Sequence, residues 1–457
     1  MNVEQAVAAA RLALGAIDTR RAFRPAVVAH DIWLASGLET MLPETVLMCV
    51  QRSSAVDALR ERGIDVFCLS EHVSAEEVAG RSSADLFEHP RAVDFAQRQG
   101  PLAVMTFKPS ERFEAAVRAT GGRLIAGRGS RHMAVARSFE NKLNFVDIAA
   151  RVELRTPSWE VRAADDLEYS SLAGRFGESM VVQGPRGNAG QRTWGVANEA
   201  DLEAVRAQES GKQVRISERV DGMPFTVNAV ADEGGVLDWT PPSRQVTGVP
   251  WLTPMQLGSC GNAFGEQALE PYVAEVGRAT GAVGDALGRE GFGGVFGVDF
   301  VLGADGPLVI ETNPRMVASL PLATQLELDA GRVPLLLQAL LLGLGVADER
   351  MAAPSPVPAA PLRPTSQVII HRLESDPAPR PFMPSGVYLL RAAAAPVFLR
   401  SGAWLGDVLS DDEALLLVRE PKEPVTVARE FGRVYLRGSA AELTPGLTEM
   451  VSAVRGT

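Results

Sequence analysis

Lysine, cysteine and histidine are all scarce in this chain of 457 residues. The three cysteines, Cys49, Cys68 and Cys260, are odd in number and far apart, which argues against a disulfide framework. The five histidines show neither the HExxH nor the CxxC spacing that is typical of zinc sites, so we expect no dedicated zinc site. Only four of the 45 basic residues are lysines, so each lysine is a candidate for a specific role.

Long apolar runs and a basic overall charge are missing as well. No apolar run reaches the ~20 residues that a membrane-spanning helix needs. The longest candidate, residues 333–346, is interrupted by Gln338 and is predicted to be a buried helix. The N-terminus lacks a basic region before its apolar stretch, unlike a signal peptide. A net charge of −11 disfavours general binding to nucleic acid or to anionic membranes. We therefore expect a soluble, cytoplasmic protein.

The length suggests about three domains. The N-terminal part alternates short apolar runs with helical segments, which predicts an open, mostly parallel α/β sheet. The third glycine of a dinucleotide-binding motif is missing from residues 127–132. The central part changes to an α+β pattern, and a proline-rich stretch separates it from a small β-rich tail. The predicted divisions are, in order, residues 1–135, 136–350, 351–365 and 366–457.

The most specific motif is the hairpin GGVFGVDFVLGADGPLVIETNPR at residues 293–315. Glu311 and Asn313 share one face of their strand, and Pro314 favours an extended backbone at Asn313. Asp299 lies in an apolar strand, where a carboxylate is costly unless it is paired or metal-bound. Two carboxylates and an amide oxygen suit Mg²⁺ with phosphate. Three solvent-facing polar residues on an edge hairpin are the alternative.

The register of this hairpin decides whether the three polar groups can meet. If a two-residue turn at 305–306 closed the hairpin, Asp299 would lie opposite Thr312, on the wrong face for a shared metal. A loop of three or five residues centred on Gly306 places Asp299 opposite Asn313 instead. We predict this odd-numbered loop, because the metal site requires it.

Two further elements precede the hairpin. Residues 181–196, VVQGPRGNAGQRTWGV, indicate a strand that enters a Gly-rich turn, whose backbone N–H groups can hold an anion. The segment is not a P-loop, because no Gly-Lys-Ser/Thr follows, and an ordinary hairpin turn stays open. Lys142 in the segment ENKLNF either contacts a ligand at the start of the central region or is solvated.

The order of these elements resembles the ATP-grasp superfamily. The matching segments are ENKLNF, VVQGPRGNAGQRT, RISERVDGMPFTVNAV and GVDFVLGADGPLVIETNPR, and the resemblance covers about residues 20–345. It implies a pre-ATP-grasp α/β domain followed by an ATP-grasp domain of two subdomains. It also implies a ligase that uses ATP and Mg²⁺ to activate a carboxylate as an acyl phosphate. An amine then attacks the acyl phosphate and releases phosphate.

The resemblance implies roles for individual residues. Lys142 and Arg315 are the implied catalytic residues, and Arg315 faces the acyl phosphate. The implied metal ligands are Asp299, Glu311 and Asn313. The implied nucleotide contacts are Lys142, Gln183, Asn188, Ala189, Gly190, Glu218 and Val220. Arg244 lies in the Pro- and Gly-rich segment 239–264, and either clamps a substrate carboxylate bidentately or is a surface residue. Cys260 is not expected to be a nucleophile, because no histidine lies near it in sequence.

One departure from the superfamily narrows the resemblance. Most members carry a second lysine on the strand before the Gly-rich loop, where this chain has Gln183. With its proline-linked tail, the chain resembles peptide ligases of the pheganomycin type. We therefore expect amide-bond formation in specialised metabolism, with amino acids or a carrier-protein-bound group as substrates. A homodimer stays open. The alternatives are a biotin-carboxylase-like enzyme that activates bicarbonate and a non-catalytic nucleotide-binding regulator.

Overall fold

The structure is a computed structural model that describes residues 1–17, 22–78, 80–125, 131–187, 190–346, 362–377, 382–420, 425–438 and 445–456. The α-helices within these ranges are α1 Val3–Ala16, α2 Ile32–Ala35, α3 Ala55–Glu61, α4 Ala75–Val78, α5 Pro90–Arg98, α6 Glu111–Ala119, α7 Arg131–Phe139, α8 Lys142–Arg151, α9 Tyr169–Phe176, α10 Glu199–Glu209, α11 Val273–Arg289, α12 Leu320–Asp329, α13 Leu335–Gly343 and α14 Pro445–Arg455.

The strands form three sheets. The first contains β1 Arg24–Val28, β2 Val46–Cys49, β3 Asp65–Cys68, β4 Leu102–Thr106 and β5 Arg123–Leu124. The second contains β6 Trp159–Ala163, β7 Met180–Gln183, β8 Thr193–Val196 and β9 Gln213–Glu218. The third contains β10 Met223–Asp232, β11 Gly235–Trp239, β12 Ser243–Thr247, β13 Ser259–Phe264, β14 Gly294–Gly303, β15 Gly306–Asn313, β16 Thr365–His371, β17 Gly386–Arg391, β18 Ala394–Arg400, β19 Glu413–Val418 and β20 Glu430–Arg437.

The N-terminal sheet is parallel, as the alternation of apolar runs and helical segments predicts. Its strand order is β3-β2-β1-β4-β5, and all four strand pairs are parallel. Its central strands are buried on both faces because helices cover both sides, which explains their continuous apolar sequence. The order reverses between β1 and β4, and ligands of such sheets bind beyond the carboxyl ends of the strands at this point.

The second sheet is a small antiparallel layer with the order β6-β9-β7-β8. The helices α9 and α10 bury Leu172 and Leu202 in the same apolar cluster as Val182 and Ile216 of the sheet. Helix α10 begins at Glu199, because the side chain of Asn198, a favoured capping residue, accepts a hydrogen bond from the Asp201 N–H. This layer positions the Gly-rich segment between β7 and β8.

The third sheet has eleven strands and joins the central region to the C-terminal part. Its order is β15-β14-β10-β12-β13-β16-β20-β19-β17-β18, with β11 paired to β10. The predicted β-rich tail is present and ends in α14, and its first strand, β16, pairs with β13 of the central region. The Pro- and Gly-rich segment 239–264 contains β12 and β13 and has irregular structure mainly between them. The domain boundaries proposed from the sequence stay a prediction.

The hairpin β14–β15 corrects the predicted loop. Gly303 pairs with Gly306, so the turn holds two residues, and neither the odd-numbered loop nor a turn at 305–306 is present. Asp299 lies opposite Glu311, not opposite Asn313, because a β-bulge between Asp299 and Phe300 shifts the register. The prediction failed because the bulge, which has no turn-like sequence signal, brings the polar groups to one face.

Helix α13 confirms the predicted buried helix near residues 333–346, since all its residues are buried. Across the described ranges, no helix combines the length and the apolar character that a membrane crossing requires.

Candidate active site

One large cavity lies where the three sheets meet. Its volume is about 910 Å³, and its lining includes Lys142, Gln183, Val220, Glu311 and Arg315. One end lies between the second sheet and the hairpin β14–β15, and the other reaches the carboxyl ends of the N-terminal strands and the C-terminal strands. The cavity therefore connects most of the residues that the sequence singles out.

The hairpin presents two carboxylates to the cavity from paired positions. The Asn313 side chain donates from Nδ2 to Oδ2 of Asp299 at 2.9 Å. The Gln245 side chain donates from Nε2 to Oδ1 of the same carboxylate at 2.7 Å. Burial, together with the negative charge of Glu311, raises the pKa of Asp299 to about 7. The three predicted metal-site residues thus lie together, and two carboxylates at paired positions need positive charge beside them.

Lys142 supplies part of that charge. It is the first residue of α8, which Asn141 caps by accepting from the Leu143 N–H, so the start of the helix fixes its position. Its side chain is buried, and its Nζ lies 2.8 Å from Oε2 of Glu311 and 3.5 Å from the carbonyl oxygen of Gly187. Burial opposes ionisation of Glu311, but the nearby cations, Lys142 first among them, outweigh burial and lower the pKa of that carboxyl. The lysine interpreted as a ligand contact is not solvated.

Arg315 lies on the side of the hairpin that faces the N-terminal sheet. Its Nε donates to Oε1 of Glu140 at 2.9 Å, and its Nη2 donates to Oδ1 of Asn313 at 3.0 Å. Its guanidinium lies 5.4 Å from the ring centre of Phe107, which directly follows β4. Glu140 also contacts Lys108 at 2.6 Å. The guanidinium is therefore held in one orientation between the two ends of the cavity.

The predicted Mg²⁺ fits this donor set. Asp299 and Glu311 offer hard oxygen ligands, and the amide oxygen of Asn313, which accepts a hydrogen bond from Arg315 in this structure, is a third of the same kind. Two half-buried carboxylates on directly paired strand positions repel each other, and the raised pKa of Asp299 reflects first its desolvation and then that repulsion. Among the described residues, no group of three or more His, Cys, Asp or Glu side chains could hold a metal alone. Phosphate oxygens of a bound nucleotide would therefore have to complete the shell.

The predicted nucleotide-contact residues are brought together in part. Val220 and Gln183 line the cavity. Glu218 lines it as well, but its Oε1 accepts from the Ser158 N–H at 2.9 Å. Gly190 also lines it, in a left-handed backbone with φ +87°, and a Cβ there would lie 2.5 Å from Cα of Gly258. Asn188 and Ala189 fall outside the described residues.

Two other residues that the sequence singles out, Arg244 and Cys260, do not belong to the acidic site. Arg244 is half-exposed, with Nη1 3.7 Å from Oε2 of Glu266, and it is not among the described residues that line the cavity. Gln245, the next residue of β12, points inward to Asp299 instead. Cys260 is buried, and burial raises the pKa of its thiol to about 11, consistent with the expectation that it is not a nucleophile.

Sequence reasoning missed the polar cluster at the far end of the cavity. Arg419 forms a bidentate pair with Asp31, with Nε–Oδ1 at 2.6 Å and Nη2–Oδ2 at 2.7 Å. His30 Nδ1 lies 3.1 Å from Asp31 Oδ2. Buried side-chain atoms of Gln51 (Oε1) and His371 (Nδ1) have no hydrogen-bond partner among the described residues, and both residues line the cavity. No spacing rule links residues so far apart in sequence.

Sequence reasoning also missed Arg215, which is buried on β9 and lines the cavity beside Gln183. Its side chain donates to Oε1 of Gln183 and, from Nη1, to the carbonyl oxygen of Ile310 at 2.9 Å. An arginine between apolar neighbours in a short strand is the one signal that could have drawn attention to it.

Comparison with known proteins identifies the architecture. Residues 139–319 match the family model of the ATP-grasp domain, so the chain contains an ATP-grasp domain. The chain has no match among curated protein sequences.

Solved structures with the same fold cover nearly the whole chain. An L-amino acid ligase from Bacillus licheniformis is 18% identical with a TM-score of 0.52, over 94% of this chain and 96% of that one. An N5-carboxyaminoimidazole ribonucleotide synthetase from Thermus thermophilus is 13% identical with a TM-score of 0.52, over 95% of this chain and 99% of that one. The biotin carboxylase domain of a Hydrogenobacter thermophilus 2-oxoglutarate carboxylase, solved with MgADP and bicarbonate, is 13% identical with a TM-score of 0.57, over 91% and 86%.

These comparisons confirm the predicted ATP-grasp fold, with its N-terminal α/β sheet and its β-rich C-terminal part. At the level of the domain they also confirm the prediction of an ATP-grasp enzyme with ATP and Mg²⁺ as cofactors. The roles of the individual site residues stay a prediction.

Proposed function

We propose that the protein is an ATP-dependent carboxylate–amine ligase that forms an amide bond through an acyl phosphate. The observation that carries the proposal is the single cavity itself. It joins a cation-rich acidic site, suited to MgATP, to a second polar end suited to small organic substrates, with Arg315 between them. The similarity of fold to an L-amino acid ligase supports the amide-forming reaction.

The chain's own residues meet the electrostatic demands of the first step. A substrate carboxylate oxygen attacks the γ-phosphorus of ATP, and ADP leaves. Both reactants are negative, so the barrier falls when fixed cations neutralise the charge that develops. Lys142 holds a positive charge beside Glu311, and Arg315 holds one at the junction of the two ends. Mg²⁺, held by Asp299, Glu311 and Asn313, would supply further charge neutralisation and orient the phosphates.

The second step joins the amine. The amine nitrogen attacks the carbonyl carbon of the acyl phosphate, phosphate leaves with the electrons of the C–O bond, and the nitrogen loses a proton. The acyl phosphate must be shielded from water until the amine arrives. The N-terminal and C-terminal sheets enclose this end of the cavity, and the Asp31–Arg419 pair connects them.

Amino acids are the substrate class that we propose for the far end. The wall there combines the guanidinium of Arg419, the carboxylate of Asp31 and the unpartnered Oε1 of Gln51. The ammonium group of an amino acid can donate to Oε1 of Gln51, and an amino acid is neutral overall, as is the Asp31–Arg419 pair beside it. Peptide-bond formation in specialised metabolism, as in the pheganomycin-type ligases, agrees with this chemistry.

The test is a screen of pooled amino acids for ATP-dependent phosphate release, with mass spectrometry of the products. We expect one pool to release ADP and phosphate and to give a product whose mass equals the two reactants minus water. Release that requires bicarbonate would identify a bicarbonate-activating enzyme instead. Nucleotide binding without turnover in any pool would identify a non-catalytic regulator.

A further inference from the structure

Arg215 joins the two layers that enclose the phosphate end of the cavity. It lies on β9 directly opposite Gln183 of β7, and its side chain is 5% exposed. Its Nη2 donates to Oε1 of Gln183, and its Nη1 donates to the carbonyl oxygen of Ile310 at the bulge of the hairpin. The guanidinium therefore lies between the second sheet and the strand that carries Glu311.

This guanidinium is incompletely satisfied. A guanidinium has five N–H donors, and Nε of Arg215 is buried without a hydrogen-bond partner among the described residues. The acidic group that acts on it is Glu311, whose Oε2 already contacts Lys142 at 2.8 Å. Two buried cations thus share one carboxylate. Burial lowers the pKa of Arg215 to about 10, so the side chain stays charged at neutral pH.

A buried cation without a full set of partners is costly unless a ligand completes it. An anion with several acceptor oxygens suits this guanidinium best, because it would neutralise the extra positive charge and accept from the buried Nε. Phosphate groups match a guanidinium in charge and in geometry. Arg215 lines the same cavity as Lys142 and lies on β9, the strand that ends at Glu218 and leads to Val220.

We infer that Arg215 is a binding residue for the phosphate chain of the nucleotide, and that it supplies the cation that Gln183 does not. This inference rests on the proposed function, because it requires the cavity to bind a nucleotide. The competing interpretation is that Arg215 only holds the two sheets together. A purely structural arginine would affect the binding of adenosine and of ADP alike, whereas a phosphate contact affects only ADP.

The experiment measures the affinities of ADP with Mg²⁺ and of adenosine by calorimetry. Arg215→Met removes the charge and keeps most of the side-chain length. We expect it to weaken ADP binding by about 10- to 100-fold, as the loss of charge-assisted hydrogen bonds predicts, and to leave adenosine binding within about twofold. The matched control is Arg162→Met on β6 of the same sheet, where the side chain is half-exposed and pairs with Glu160. The control should bind both ligands as the wild type does.

A second variant guards against misfolding of the first. The double change Gln183→Lys with Arg215→Met moves the cation to the paired position on β7, and we expect ADP affinity within about fivefold of the wild type. Three results would overturn this inference without touching the proposed function. They are wild-type ADP binding by folded Arg215→Met, equal losses of ADP and adenosine binding, and a folded double variant that does not recover ADP binding. A wild-type protein that binds no nucleotide would overturn the proposed function as well.

Discussion

The change Glu311→Gln tests the metal site most directly. It removes one negative charge and almost no volume, at a side chain that contacts Lys142 and lies opposite Asp299. We expect phosphate release to fall at least 100-fold, equivalent to about 2.7 kcal/mol of transition-state stabilisation. The Mg²⁺ concentration that gives half-maximal activity should rise, because the cation loses one of two carboxylate ligands.

The effect of this change on folding should be limited, because two charge interactions oppose each other. At an effective dielectric constant of about 20, the Lys142–Glu311 contact at 2.8 Å corresponds to an attraction of about 6 kcal/mol. The facing carboxylate of Asp299, at a separation of about 5 Å for paired positions, corresponds to a repulsion of about 3 kcal/mol. Losing both the attraction to Lys142 and the repulsion from Asp299 lowers the free energy of unfolding by at most about 3 kcal/mol.

The assays are phosphate release against Mg²⁺ concentration and urea unfolding. Asp305→Asn is the matched control, because it makes the same kind of change at an exposed position in the turn of the same hairpin. The control should behave as the wild type in both assays. A folded Glu311→Gln protein with near-wild-type turnover and an unchanged Mg²⁺ requirement would refute the assignment of the metal site.

Three further changes test other parts of the structure. Lys142→Met should reduce phosphate release at least 100-fold and weaken ADP binding about tenfold, whereas Lys212→Met, at a half-exposed lysine, should do neither. Gly190→Ala should raise the KM for ATP about tenfold without changing the circular dichroism, because a Cβ has no room beside Gly258 and the backbone has φ +87°. An unchanged KM would contradict a role of Gly190 in nucleotide binding. Glu327→Gln should stabilise the fold more at pH 8 than at pH 5, by about 2–4 kcal/mol in urea unfolding. Burial raises the pKa of Glu327 to about 8, so the wild type loses stability as pH rises from the unfolded pKa towards 8, and the amide does not. The same shift for the exposed Asp329→Asn would show that the effect is not specific to burial.

The elements that follow from local sequence were predictable. The buried parallel strands appear as continuous apolar runs, and Asn198 marks the start of α10, because burial on both faces and helix capping act on neighbouring residues. The apolar segment of α13 is buried as expected. In each case the determining interaction lies within one element or its immediate packing. The local sequence of that element is therefore enough to predict it.

The parts that depend on contacts between distant segments were not predictable. The Asp31–Arg419 pair joins residues 388 positions apart, and only the packing of the C-terminal strands against β1 brings them together. Arg244 and Gln245 are neighbours in sequence, but the alternation of a strand sends them to opposite faces, and the face that meets Asp299 depends on the pairing of β12. A pattern of residue types does not predict which of the two faces of β12 meets Asp299.

The bulge in β15 explains how a short turn and a shared acidic site coexist. Near the turn, paired residue numbers sum to 609, as for Gly303 with Gly306, so an unbroken ladder would place Asp299 opposite Ile310. Glu311 would then share the face of Val298, which is buried in the apolar core. One extra residue, Ile310, rotates the rest of the strand and brings Glu311 opposite Asp299.

A bulge leaves backbone groups that the ladder no longer pairs, and buried groups of this kind need other partners. The carbonyl oxygen of Ile310 finds its partner in Nη1 of Arg215, at 2.9 Å. The residue that we assign to the phosphate chain therefore also supports the distortion that turns Glu311 toward the metal site. Because one guanidinium serves both purposes, a change at Arg215 that weakened ADP binding should also increase the Mg²⁺ requirement of turnover. Replacing Arg162 on the neighbouring strand should leave that requirement unchanged, because its guanidinium pairs with Glu160 away from the hairpin.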